Sequence, residues 1–288
     1  MSLQGNMTNP MDSGQTYALF YGCIIALGLP LNAVSLWILV RHHRLKSPSA
    51  IFMINLAISD LLLIISLPMR IYYYATGTWQ LGSFACISVT MLFRNNLRSS
   101  SIFVTCISVD RLLALVYPLR SRHLRTLSNA SKAAALIWFL VLVVNLPEAL
   151  AFSRNLTKNN ETSCFRLKLN GESAVPAYLQ AVLILILLAV NILCTALVSW
   201  TLRRHLSDSA QVKNKIKAML IFAMNLVMFT VCFLPLSIAF LSIRYMQNIQ
   251  PLICLASMNC CLDPLLYYFS LDAFWKKKDE DVDLTREQ

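Results

Sequence analysis

The sequence predicts an all-α membrane protein: a bundle of seven transmembrane helices followed by a short amphipathic C-terminal helix. Three observations carry that expectation. Hydrophobic residues fill 57% of the 288 positions and charged residues only 14%, with a mean hydropathy of +0.59, which is too apolar for a water-soluble domain of this length. About seven runs reach the roughly 20 apolar residues that a bilayer core requires, near 16–41, 49–75, 83–116, 130–152, 175–203, 213–246 and 250–270. Lys and Arg gather at alternate ends of these runs.

The first run differs from a cleaved signal peptide, because about 15 polar residues without a basic start precede it and it is longer than a signal core. Residues 1–15 therefore read as an outer tail, 16–270 as one polytopic domain and 271–288 as the amphipathic helix with a cytoplasmic tail. No tandem repeat of the solenoid kind is present. Arg41, Arg44 and Lys46 follow the first run; Arg120, Arg122, Arg125 and Lys132 lie between the third and fourth. Arg203, Arg204, Lys213, Lys215 and Lys217 join the fifth to the sixth, and Lys276, Lys277 and Lys278 follow the seventh. The positive-inside rule makes these ends cytosolic and, with an odd number of spans, puts the N-terminus outside. The net charge of +11 then reports topology and affinity for anionic membrane lipid rather than a nucleic-acid partner, for which there is no soluble module.

The outer side carries three glycosylation sequons, at Asn6, Asn155 and Asn160. Seven of the nine cysteines lie within spans, as small apolar packers. Cys86, at the outer start of the third span, and Cys164, in the outer loop before the fifth, occupy an oxidising compartment where a disulfide persists and would pin that loop over the bundle.

Polar residues inside the spans demand a reason, since an ionisable group in hydrocarbon costs about 2.5–3.5 kcal/mol even on the most lenient scale. Asn32, Asp60, Ser100, Asn259 and Asp263 fall in the first, second, third and seventh spans. Packed together they form either a hydrogen-bonded network without an ion or an electronegative site for an allosteric sodium ion; no other cofactor or metal site is expected.

The motifs "GLPLN" to Asn32, "NLAISD" to Asp60, Cys86, "DRL" at 110–112, Trp138, "CFLP" at 232–235 and "DPLLYY" at 263–268 occur in order over nearly the whole chain. In these the sequence resembles the rhodopsin-like, class A G-protein-coupled receptors. The resemblance implies that Asp110 holds Arg111 at rest and that Arg111 turns toward a G protein on activation. An ion pair at a buried edge suits a two-state element, because another arrangement can supply each charge with a partner; the plainer reading is an interfacial charge pair with no switching role. The resemblance adds Phe229, Phe233, Pro235, Asp263, Pro264 and Tyr267 as further switch positions. Pro235 favours a kink about which the cytosolic half of the sixth span swings outward. Leu112 stands where the family usually has Tyr, Phe233 where it has Trp, Asp263 where it has Asn, Leu187 where it has Pro and Thr195 where it has Tyr. The stretch "SLDAFWKKK" suits a helix lying on the membrane.

Cations in the outer halves of the spans suggest the ligand. Arg70, Arg94, Arg98 and Arg244 fall there, with Arg166 and Lys168 in the covering loop and Tyr74 at the mouth. Arg94 and Arg98 share one helical face, where two guanidinium groups repel unless an anion intervenes. A phosphate or carboxylate ligand meets that need bidentately. Alternatively these arginines snorkel, or pair with the few outer acids, among them Glu148, Glu161 and Glu172. The stretches "SLPMRIYYYATGTW", "CISVDRLLALVYPLRSRHLRT" and "LASMNCCLDPLLYYF" are similar to the purinoceptor-like branch and especially to lysophosphatidic acid and other lysophospholipid receptors. That likeness implies an anionic lipid ligand, a heterotrimeric G protein of the inhibitory or twelve/thirteen class, arrestin and the plasma membrane. "RNNLRSSS", residues 94–101, departs from the branch and leaves room for a carboxylate metabolite, an oxidised fatty acid or a nucleotide. A transporter would favour matched helix breaks in related repeats, and neither is seen. An enzyme is not expected: all four histidines sit at cytosolic edges and no nucleophile or metal constellation occurs.

Overall fold

The computed structural model describes residues 10–41, 47–159, 164–165, 171–204, 209–242 and 249–267. Within them the chain is helical: α1 Pro10–Arg41, α2 Pro48–Thr76, α3 Gly82–Val116, α4 Leu127–Asn159, α5 Gly171–Arg204, α6 Ser209–Met228, a π-helical turn Phe229–Phe233, α7 Leu234–Leu241 and α8 Gln250–Ser257. After a turn at Met258 the helix resumes as α9, residues 259–267. The first five spans are thus α1 to α5, the sixth is α6, the π turn and α7 together, and the seventh is α8 with α9. Six of the seven are long and apolar enough to cross a bilayer without interruption; the seventh reaches across only as a broken helix. The amphipathic C-terminal helix expected within 271–288 lies outside the described residues.

Local chemistry sets the helix ends. Ser47 has an extended backbone and its hydroxyl accepts from the Ala50 N–H at 3.3 Å, while Pro48 opens α2 where its missing donor costs nothing. Gly77 closes α2 in the left-handed region at φ 70°, returning its N–H to the Tyr73 carbonyl. Where a kink was expected at Pro235, a wide π turn, Phe229–Phe233, ends two residues before it, and Pro235 falls in the first turn of α7, where a residue unable to donate a backbone hydrogen bond is tolerated.

Burial is that of a protein solvated by lipid. Leu19, Phe84, Leu142 and Leu193 are exposed, whereas Asn32, Asp60, Ser99, Ser100, Asn191, Asn225, Asn259 and Asp263 are buried. α3 is central, in contact with α2, α4, α5, α6 and the π turn. Asn32 ties the first span to the seventh by donating to the Cys260 carbonyl at 2.7 Å, and Trp138 ties α4 to α2 by donating to Asn55 at 2.8 Å. The Cys86–Cys164 disulfide anchors the loop before α5 to the start of α3, as the outer positions of these cysteines suggested.

Candidate functional site

Two cationic centres occupy the end of the bundle that carries the disulfide, and they are built differently. Arg70 lies in the last two turns of α2 and is 2% exposed. Its guanidinium sits 4.7 Å from the ring centre of Phe165, 5.0 Å from Phe93 and 6.0 Å from Tyr21. Ring faces attract a cation but bear no charge and leave its N–H groups in need of acceptors. Arg70 has no ion pair among the described residues, and its Nε has no hydrogen-bond partner.

The rings around Arg70 are themselves braced. Phe165, next to the disulfide and in the left-handed region at φ 67°, meets Tyr73 and Trp79 edge-on at 5.1 and 5.4 Å. Gln250 of α8 donates to the Phe165 carbonyl at 3.3 Å and accepts the Tyr74 hydroxyl at 2.5 Å, while Tyr74 stacks on Tyr21 at 5.8 Å. Rings from α1, α3 and the loop before α5 thereby surround one guanidinium of α2, with Gln250 of α8 bracing them.

The second centre spans α3, α4 and α5. Arg98 donates to Glu148 at 2.5 Å, to Gln180 at 2.8 Å and to Asn145; Arg94 donates to the other oxygen of Glu148 at 2.9 Å. This revises the reading that the two arginines require a foreign anion. Glu148, buried in α4 and one of the outer acids named as an alternative partner, relieves their repulsion. Of the other expected ligand residues, Arg166, Lys168 and Arg244 lie outside the described residues. So do the sequons at Asn6 and Asn160, while Asn155 is in the last turns of α4.

Toward the middle of the bundle, Asp60 Oδ1 accepts from Asn96 at 2.9 Å and from Ser100 at 3.3 Å. Asp60 Oδ2, both oxygens of Asp263 and Oδ1 of Asn259 have no hydrogen-bond partner, and all three residues are fully buried. Ser59, Ser99 and Asn96 extend the network, Ser59 to Ser99 at 2.6 Å, and the sequence reading missed all three. Orphaned carboxylate and amide oxygens at one locus fit a small hard cation, the donor set that oxygen-ligated ions prefer. Among the described residues there is no group of three or more His, Cys, Asp or Glu that could hold a metal ion by such side chains alone.

At the opposite end, the Asp110 carboxylate takes its hydrogen bonds from Arg125 of the loop before α4, at 2.8 and 3.2 Å, and from Ser49 of α2. The expectation named only the adjacent Arg111 as its partner; Arg125 and Ser49 add a clasp joining α2, α3 and that loop. Phe229 and Phe233 are fully buried and meet edge-on at 5.3 Å across the π turn. Pro264 and Tyr267 lie in α9, and Tyr267 is buried with its hydroxyl unpartnered. A further network escaped the sequence reading. Asn225 of α6 donates to Ser108 of α3 at 2.5 Å, Ser108 donates to Asn191 of α5 at 2.6 Å, and Asn191 donates to Thr105 of α3 at 2.9 Å. An amide within each of two apolar runs was the available signal.

The chain matches the family profile of the seven-transmembrane receptors of the rhodopsin family over residues 31–267. It is 36% identical to human lysophosphatidic acid receptor 4 over 294 aligned residues, covering 94% of this chain and 79% of that protein. It is likewise 36% identical to lysophosphatidic acid receptor 6 of Gallus gallus over 280 residues, covering 88% and 90%. Identity to a purinoceptor of Gallus gallus is 30% over 279 residues, covering 91% and 78%.

Proposed function

The chain belongs to the rhodopsin family of seven-transmembrane, G-protein-coupled receptors, and on that premise we propose that it is a plasma-membrane receptor for a lysophospholipid such as lysophosphatidic acid. The observation that carries this reading is Arg70, a buried guanidinium with aromatic neighbours, no ion pair among the described residues and an unused Nε donor. A phosphate supplies what the rings lack: full charge and several strong acceptors in bidentate geometry. An acyl chain then extends among apolar helix faces. Arg94 and Arg98, carrying two positive charges against the single charge of Glu148, add a net positive field to the same end of the bundle.

The N-terminus lies outside in this reading, supported by the basic residues at the Asp110 end and the disulfide at the other. Ligand binding shifts a pre-existing equilibrium in which the cytosolic half of the sixth span swings outward below the π turn and Pro235, and Asp110 and Arg111 exchange partners to admit a heterotrimeric G protein. A sodium ion held by Asp60, Asp263, Asn259 and Ser100 would favour the resting state. Sodium chloride then raises the unfolding temperature of the wild type more than potassium chloride does, and Asp60→Asn loses the difference.

The test of ligand class is guanine-nucleotide exchange on inhibitory and twelve/thirteen-class G proteins with lysophosphatidic acid, an oxidised fatty acid, a nucleotide and a small carboxylate. Arg70→Ala at normal surface expression is expected to cost the lysophospholipid roughly 10- to 150-fold in potency, the 1.5–3 kcal/mol of a hydrogen bond to a charged group. Unchanged potency in Arg70→Ala would remove the site, and a response confined to the other ligands would replace the lysophospholipid.

A further inference from the structure

At the Asp110 end of the bundle an open cavity of about 300 Å³ lies between α2, α3 and α4. That volume is at the lower end for a small-molecule site. The walls are largely apolar, with Phe52 from α2, Cys106, Val109 and Leu113 from α3, and Ala130 and Ala133 from α4. Cys106, Val109 and Ala133 are half-buried, so the cavity is not sealed by protein. One edge is polar, formed by the Asp110–Arg125 pair with Thr126 and Asn129. Arg125 uses Nε and Nη2 on Asp110 and keeps Nη1 outside those bonds, with its side chain about a quarter exposed. Arg122 and Lys132, both exposed, add positive charge to the same loop and helix.

We propose that this cavity is a second ligand site, separate from Arg70, for a single-chain anionic amphiphile of the fatty-acid type. The alkyl chain lies along Phe52, Val109 and Ala133, and the carboxylate takes the remaining N–H of Arg125. The apolar walls select the chain, the cation at the edge selects the acid over an alcohol or amine, and a volume of about 300 Å³ suits one alkyl chain. An anion on Arg125 competes with Asp110, which is left with Ser49 and its neighbour Arg111, so occupancy loosens the clasp around the proposed switch. Only this last consequence rests on the receptor reading; the binding does not.

Cys106 is a built-in reporter. The full chain carrying Cys23→Ser and Cys261→Ser, in phosphatidylcholine nanodiscs, is labelled with a membrane-permeant maleimide. Dodecanoate at about ten times its dissociation constant slows Cys106 labelling roughly tenfold by mass action, whereas dodecanol and dodecylamine slow it far less. Arg125→Gln raises the dodecanoate needed roughly ten- to a hundredfold. Ala133→Phe, or Ala130→Leu as a second filling variant, removes the protection. Arg70→Ala leaves it intact; its loss there would assign the acid to the outer site and overturn the proposal. Equal protection by dodecanol would overturn recognition of the anion. Protection by phosphatidylglycerol nanodiscs without free acid would make the occupant a bilayer lipid and overturn the single-chain assignment. Nucleotide exchange rises with dodecanoate in the wild type and not in Ala133→Phe; unchanged exchange at full protection would sever the site from Asp110.

Discussion

Arg70 and Arg98 are both buried arginines at the same end of the bundle, yet one is enclosed by rings and the other by charge and amides. Arg98 finds Glu148, Asn145 and Gln180 on two neighbouring helices. Arg70 finds Tyr21, Phe93 and Phe165. A guanidinium whose hydrogen bonds are met by its own chain joins helices. One that is surrounded by attraction but left short of acceptors is held ready for a molecule that brings them. On the proposed function the difference separates a structural cation from a recognition cation, although the two look alike as letters in an apolar run.

The largest expected effect breaks the structural side of the comparison. Glu148→Gln leaves Arg94 and Arg98 buried together without their carboxylate, a loss of the order of 3–5 kcal/mol for a broken buried pair. The unfolding temperature of the detergent-solubilised receptor falls accordingly, and surface expression with it. Adding Arg98→Gln to Glu148→Gln recovers much of the loss, because the uncompensated charge goes too. An unchanged unfolding temperature in Glu148→Gln would mean that the triad does not hold α3 to α4 and α5.

Arg70 responds with the opposite sign. Replacing it by Met exchanges a buried charge that has no ion pair among the described residues for an apolar chain of similar length, so stability rises by about 1–2 kcal/mol while the response to anionic lipid is lost. Stability that falls instead would show that the rings compensate the charge fully. A smaller effect grades the triad internally. Arg94 makes one ion pair at 25% side-chain exposure, whereas Arg98 makes three contacts at 6%. Arg94→Ala therefore costs about 1 kcal/mol and Arg98→Ala clearly more, as read from the two unfolding temperatures.

The contrast also marks what the sequence could disclose. Seven spans, the disulfide and the mid-membrane position of Asp60, Asn259 and Asp263 follow from hydropathy, basic flanks and the cost of polar groups in lipid, all properties of single positions or short windows. Arg70 was visible for the same reason. For Arg98 the sequence offered Glu148 only as one of three outer acids, and the choice among them, with Asn145 and Gln180 added, depends on how α4 and α5 rotate against α3, which no local pattern encodes. Arg125 escaped as well: it lies in a loop rich in arginines, and only the fold shows which of them turns back to Asp110. The break of the seventh span at Met258 and the π turn before Pro235 depend on how these segments pack against α3 and each other, so an apolar count reads them as continuous.

The smallest expected effect concerns the network that hydropathy concealed most completely. Asn225, Ser108 and Asn191 link α6, α3 and α5 below the π turn, and all three are buried. In lipid such interhelical hydrogen bonds contribute about 0.6 kcal/mol on average, since each amide finds other partners when the helices part. That modest sum acts where, in the proposed mechanism, the sixth span separates from α3 to admit a G protein. Asn225→Leu, which keeps the volume and deletes the donor, also removes an Oδ1 left unpartnered in this conformation. Basal nucleotide exchange should rise roughly threefold, the factor that 0.6 kcal/mol imposes on a two-state equilibrium, with agonist potency shifted the same way and maximal response unchanged. Ser108→Ala acts through the same bonds, so the double variant should exceed neither single variant by much. Additive increases would mean that Asn225 and Ser108 restrain the sixth span separately, and a fall in basal exchange would place the network in the active state instead.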